Sequence, residues 1–369
     1  MKKLVSVLLA VLMAAVPLIV SSCGANTAIE EPRAEYTRAY EGTTLNVFNW
    51  GVYISDGSEG SLNVNKAFEN LTGIHVNYAT YDSNEAMYAK LKSGAVSYDI
   101  VVPSDYMIER LISEDMIQPL DMTKLTNYDL IEEEYKNLFY DPDNRYSVPY
   151  NVGMVGLIYN TTMVEGTPDS WAVMWDEKYA DNILTFDNPR DAFGIAQFLL
   201  GLDVNSENKA DWDLAADKLK EQNKVLQGRV MDQVFSKMEG GNAAIAPYYA
   251  GDFLTMVENN PDLAFCYPKE GTNIFVDACC VPKNATNYDA AMLYINFLME
   301  PEVALANAEF ICYASPNTAV VNNPGYSYYG EDILYPDPQA MPKTEYYHDI
   351  DPEIRSYYEK LWESILLAD

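Results

Sequence analysis

An ionisable group inside an apolar run is costly, and one acid of this chain sits in such a place. Asp277 stands within Ile274-Phe275-Val276-Asp277-Ala278-Cys279-Cys280-Val281-Pro282. A carboxylate taken out of water needs either a hydrogen-bond donor or a cation. A backbone amide would serve, and so would the ammonium group of a ligand. The composition leans toward cations. Against 24 Lys and Arg there are 55 Asp and Glu, a formal net charge of −31. Such a surface attracts cations and disfavours nucleic acid and anionic lipid. The 29 tyrosines add π faces with hydroxyls, which suit cation and polyol sites. Other chemistries are poorly supplied. His75 and His348 are the only histidines, and no C-x-x-C occurs, so a zinc or histidine-based catalytic centre lacks its parts. G-x-S-x-G, H-E-x-x-H and P-loop motifs are missing as well. No cofactor is expected. Vicinal Cys279-Cys280 read as buried thiols, not as a bridge.

The elements that must position these groups can be read from the pattern along the chain. Lys2 and Lys3 precede an apolar run from Leu4 to Val20, broken only by Ser6 and Pro17. It is short for a membrane span and reads as a secretory leader. It ends in Val20-Ser21-Ser22-Cys23, which resembles the lipobox of bacterial lipoproteins. That resemblance implies that residues 1–22 are removed and that a lipidated Cys23 anchors an extracytoplasmic protein to the cell membrane. Residues 23–43 are polar and aperiodic and are expected to form a tether. The 347 residues left once 1–22 are removed from the 369 are too many for one ordinary domain and suit two. A strand begins at Leu45, a helix covers 65–71, a strand 75–80, and a helix starts at Asp82-Ser83-Asn84-Glu85 and stops at Gly94. A continuous apolar strand over 98–103 and a helix over 106–114 complete a β-α-β-α-β order. That order predicts an α/β domain with a parallel sheet. After Asp141-Pro142-Asp143 the pattern restarts. Strands are predicted over 151–159, 183–187, 243–249, 263–268 and 273–282. Helices are predicted over 194–202, 209–223, 231–240, 288–299 and 352–367.

Several stretches resemble the spermidine/putrescine-binding proteins of polyamine ABC transporters. They are Asn49-Trp50-Gly51-Val52-Tyr53, Thr80-Tyr81-Asp82-Ser83-Asn84-Glu85 with Met87-Tyr88-Ala89-Lys90-Leu91, Tyr98-Asp99-Ile100-Val101-Val102-Pro103-Ser104, Ser147-Val148-Pro149-Tyr150 and Tyr313-Ala314-Ser315-Pro316-Asn317. The likeness runs in order from residue 45 onward. It implies an α/β, type II periplasmic-binding-protein fold: two α/β lobes, a ligand cleft and crossing hinge strands near 151–157 and 276–281. One lobe would comprise residues 44–149 plus 273–318, the other 150–272 plus 319–369. It also implies a non-enzymatic, monomeric solute-binding protein that captures putrescine and/or spermidine and delivers it to the membrane permease of an ABC importer.

The resemblance supplies a site, residue by residue. Trp50 and Tyr53 match an aromatic pair, and Ser104 and Tyr106 a polar and an aromatic wall. Asp105 falls where an acid is not required. In Asp187-Asn188-Pro189-Arg190-Asp191, two positions face the ligand; Asn188 departs from the acid of the first, and Asp191 keeps the second. The bland reading of this stretch is a helix N-cap with its dipole-complementing acid. Tyr249 matches an aromatic, with Gly251 in register and Asp252 able to replace the carboxylate lost at Asn188. Phe275 and Asp277 match an aromatic-x-Asp pair, Tyr313 another wall, and Tyr347 an amide position. Such a set makes physical sense for a polyamine. Its ammonium groups need carboxylates, and its methylenes need aromatic walls whose faces also attract the charges. Two other readings use the same residues. Tyr248-Tyr249 is similar to the tyrosine pair of ferric-ion-binding relatives, and Asp191, Asp252 and Asp277 could include the acid pair of a glycosidase.

Overall fold

The computed structural model describes residues 26–337, 339, 341 and 343–368; Cys23 and the leader lie outside them. The first half of the chain reads β1 (Thr44–Trp50), α1 (Val64–Thr72), β2 (His75–Tyr81), α2 (Asn84–Ser93), β3 (Ile100–Val101), α3 (Asp105–Ser113), β4 (Ser147–Asn160), β5 (Ile183–Phe186), α4 (Pro189–Leu200) and α5 (Lys209–Gln222). The second reads β6 (Leu226–Val230), α6 (Gln233–Glu239), β7 (Ile245–Tyr249), α7 (Ala250–Asn259), β8 (Leu263–Cys266), β9 (Thr272–Cys280), α8 (Tyr288–Leu298), α9 (Pro301–Ile311), α10 (Thr318–Val321), β10 (Thr344–Glu345) and α11 (Pro352–Leu366). The expected helices and strands are found with shifted ends. Besides the short α10 and β10, three elements were not legible. β6 is a half-buried run with a central Gly and Arg. α7 follows β7 with no side-chain cap. α9 starts at Pro301 directly after α8 and its short connection.

The strand order is β2-β1-β3-β9-β4-β7-β5-β6. β1 runs parallel to β2 and β3, as the β-α-β-α-β pattern requires, and β5 runs parallel to β6 and β7. β4 joins the two groups. From Ser147 to Met154 it pairs antiparallel with β9, and from Val155 onward with β7 and β8. The change of partner falls inside the 151–157 stretch. β9 keeps β4 beside it from Ile274 to Cys280, and its other neighbours are β10 at Thr272 and Asn273, Ser104 at Asp277 and β3 at Cys280. Cys279 and Cys280 are buried free thiols. Alternation along β9 sends them into different apolar clusters.

Residues 26–43 do not hang free. Arg33 makes a two-pronged ion pair with Asp129 at 2.6 Å, and Tyr36 donates to buried Glu300 at 2.7 Å. Asn26 bridges to Leu62. The tether expected over 23–43 is therefore docked against the body wherever it is described. A segment without periodicity can still be fixed by a few specific polar contacts. The 54–63 stretch folds back through Ser55, whose hydroxyl donates to the Leu62 carbonyl and whose amide donates to the Asn307 side chain. At the other end, α11 packs on α4 and α5 through Trp212 stacked on Tyr358 at 4.6 Å. No described helix is long and apolar enough to cross a membrane.

Candidate functional site

A cavity of about 460 Å³ lies between the two groups of strands. Every site residue named from the sequence lines it: Trp50, Tyr53, Ser104, Tyr106, Asn188, Asp191, Tyr249, Asp252, Phe275, Asp277, Tyr313 and Tyr347. Residues far apart in the chain converge because strand ends, helix starts and β9 meet there. Trp50 closes β1, Ser104 precedes α3, Asn188 precedes α4 and Tyr249 precedes α7. Phe275 and Asp277 are two apart on β9 and so share the cavity face.

The acids are held by phenols. Asp277, 3% exposed, accepts from Tyr53 at 2.5 Å and from the Ser104 hydroxyl at 2.6 Å. Asp191 accepts from Tyr249 at 2.9 Å, and Asp252 from Tyr313 at 3.1 Å. From the sequence these tyrosines read as walls; the structure gives their hydroxyls a second task, fixing carboxylates that keep further acceptor capacity. Asn188 reconciles the two readings of its stretch. Its side chain caps α4 by accepting from the Asp191 amide, and its own amide donates to the Asp191 carboxylate at 2.7 Å.

Aromatic rings fill the space between the acids. Tyr53 meets Tyr313 edge-on at 5.4 Å, Tyr249 meets Phe275 at 5.4 Å, and Tyr106 faces Tyr347 at 6.4 Å. Trp50 is pinned by its indole N–H, which donates to the Val102 carbonyl at 2.9 Å. Two glycines make room. A Cβ on Gly153 would stand 2.3 Å from the Phe275 ring, and one on Gly251 would stand 2.3 Å from the Tyr313 ring. Gly251 thus matters for the shape of the pocket as well as for alignment.

The electrostatics follow from burial without an ion pair to any of the three assigned acids, Arg190 being the cation that acts on Asp191 from nearby. Burial pushes Asp277 up to about 6, against the pull of the Ser104 and Tyr53 hydroxyls. Burial pushes Asp252 up to about 7, with Tyr313 opposing and Asp232 adding. Asp191 is raised for the same reason. Four further acids line the cavity without having been selected: Asp82, which is exposed, Glu85, Asp105 and Asp232. Asp105 is wholly buried and accepts from the amides of Tyr106 and Val276, so it acts on the backbone. Asp232 is exposed at the rim. Buried Arg190 is turned to its own half: it donates to the Val204 carbonyl and to Asn205, and lies 4.1 Å over the Tyr347 ring. The described ion pairs include none of the cavity acids. The cavity is an aromatic box with unneutralised carboxylates, which can hold an organic cation.

Residues 63–333 match the family described as bacterial extracellular solute-binding protein. The chain belongs to that family. The spermidine/putrescine-binding periplasmic protein of Salmonella typhimurium is 34% identical over 330 residues, covering 88% of this chain and 92% of that one. Among solved structures, the spermidine/putrescine ABC transporter substrate-binding protein of Streptococcus pneumoniae superposes with a TM-score of 0.74 at 34% identity, covering 89% of this chain and 99% of that one. A lipoprotein of Treponema pallidum superposes with a TM-score of 0.75 at 26% identity, covering 87% and 99%. This solute-binding protein thus has the two-lobed α/β fold that its motifs implied, with the cavity placed where the strands cross.

Proposed function

We propose that this solute-binding protein captures a polyamine, putrescine and/or spermidine, outside the cytoplasm and delivers it to the permease of an ABC importer. The observation that carries this reading is the set Asp277, Asp252 and Asp191. Each is buried or half-buried, each is oriented by a tyrosine hydroxyl, and each lacks a cationic partner among the described residues. A ligand with ammonium groups spaced along methylenes supplies the missing charges and fills the aromatic box. The similarity to spermidine/putrescine-binding relatives supports the same reading. Ferric ion fits less well. Burial and nearby carboxylates raise the Tyr248 and Tyr249 phenols, which works against the phenolates that an iron site uses. The test is thermal unfolding of the soluble fragment with putrescine, cadaverine, spermidine, spermine or ferric citrate. At least one polyamine raises the melting temperature, and ferric citrate gives no visible charge-transfer band. A band with no polyamine effect would reverse the assignment.

Within this reading the lobes are residues 44–149 plus 273–318 and 150–272 plus 319–369, they close on the ligand, and the protein acts as a monomer. The anchor is a lipid on Cys23, supported by the Val20-Ser21-Ser22-Cys23 motif and by a relative that is itself a lipoprotein. Changing Cys23 to Ala releases the protein from membranes into the soluble fraction while polyamine binding stays as in the parent. Mass spectrometry that finds an unmodified Cys23 inside a longer chain would contradict the anchor.

A further inference from the structure

The end of the cavity near Asn188 is short of charge for a site that grips an ammonium group. Asn188 is an amide, and it spends its N–H₂ on Asp191. One carboxylate from α4 remains there. Glu85 stands opposite. It lies in the first turn of α2, is half-buried and lines the same cavity. Its Oε1 accepts from the Tyr106 hydroxyl at 2.9 Å. That is the same phenol–carboxylate arrangement as in the three acids already assigned. No Lys, Arg or His among the described residues forms an ion pair with Glu85; the Asp191 charge raises it and Arg110 opposes that. Tyr106 meets Tyr347 edge-on at 6.4 Å, and both rings line the cavity. α2 belongs to the strand group of β1, β2 and β3, whereas α4 follows β5 in the other group.

We infer that Glu85 is a ligand-gripping acid that shares one terminal ammonium with Asp191 across the cleft. The inference rests on the polyamine reading of the site. It replaces the second carboxylate missing at Asn188 with one from the opposite half of the molecule. An ammonium held this way bridges both halves, so filling this corner favours closure. Repulsion between the two carboxylates opposes closure while the corner is empty.

A purely structural role for Glu85 is the alternative: an acid in the first turn of a helix complements the dipole. The two roles give different results. Calorimetric titration of the soluble fragment with spermidine at pH 8 is made for the parent, Glu85→Gln, Asp191→Asn and the double variant, with Asp262→Asn as control. Sharing of one ammonium predicts at least a tenfold loss for Glu85→Gln. The double variant then loses less than the product of the two single losses, because each single change already breaks the shared grip. The empty Glu85→Gln protein melts no lower than the parent. Tyr106→Phe, which leaves the acid but frees it to rotate, gives a smaller loss. Parent-like affinity in Glu85→Gln overturns the inference, as does a lowered melting temperature with losses that multiply. A parent and control that bind no polyamine overturn the polyamine reading itself, and this inference with it.

Discussion

Polyamine affinity falls by about two to three decades when Asp277 becomes Asn. The change keeps size and removes the charge opposite a buried ammonium. Breaking one partner of a buried pair costs roughly 3–5 kcal/mol, and each 1.4 kcal/mol is about a decade. Asp277 meets the conditions for the upper part of this range. It is 3% exposed, held by two hydroxyls, and set on β9, a strand shared by both halves of the sheet. The loss is specific: Asp262→Asn, on the exposed turn before β8, binds as the parent does. The fold survives, because the variant removes a carboxylate that burial already disfavours. At pH 8 the empty variant melts no lower than the parent. Calorimetry with putrescine and spermidine checks the affinity. Parent-like binding in both Asp277→Asn and Asp252→Asn would mean that the ligand sits elsewhere.

Affinity also falls steeply as the solution is made acidic. In the empty cavity Asp252 titrates at about 7 and Asp277 at about 6. An ammonium partner favours the ionised forms, so protons compete with the ligand. Between pH 8 and pH 5 that competition weakens binding about 100-fold through Asp252 and about tenfold through Asp277, roughly three decades together. The sign for the empty protein is opposite. Both acids are raised above the ordinary value of 3.8, so the folded form holds their protons more tightly than the unfolded chain does. The stability this confers is complete below about pH 4 and is lost as the pH rises through 6 and 7. The ligand-induced rise in melting temperature is therefore small at pH 5 and large at pH 8. Titrations from pH 5 to pH 8 that give one constant affinity would contradict the raised acids.

How much of this was legible in the chain depended on the kind of contact. Asp277 stood out by physics alone, since an acid in an apolar strand demands a partner. The parallel β-α-β-α-β half was legible from periodicity and caps. Positions such as Tyr249, Asp252 and Tyr347 came from resemblance and were brought to one cavity by the fold. The phenol–carboxylate pairs could not be read, because their partners are far apart in sequence: Tyr53 and Asp277 are separated by 224 positions. The same holds for Gly153, whose missing Cβ admits the Phe275 ring from a different strand. Residues 26–43 read as a tether because periodicity detects buried faces and not isolated polar contacts such as Tyr36 to Glu300. Glu85 read as a helix start, and that it is; only the fold brings it to the cavity opposite Asp191.

The most direct test is a calorimetric titration of the soluble fragment with spermidine and with putrescine at pH 8. One polyamine per chain, bound saturably and tightly enough to survive added salt, is the result expected of buried carboxylates closed away from ions. No heat and no thermal stabilisation with any polyamine, from protein whose cavity residues are all intact, would contradict the assignment of this cavity as a polyamine site.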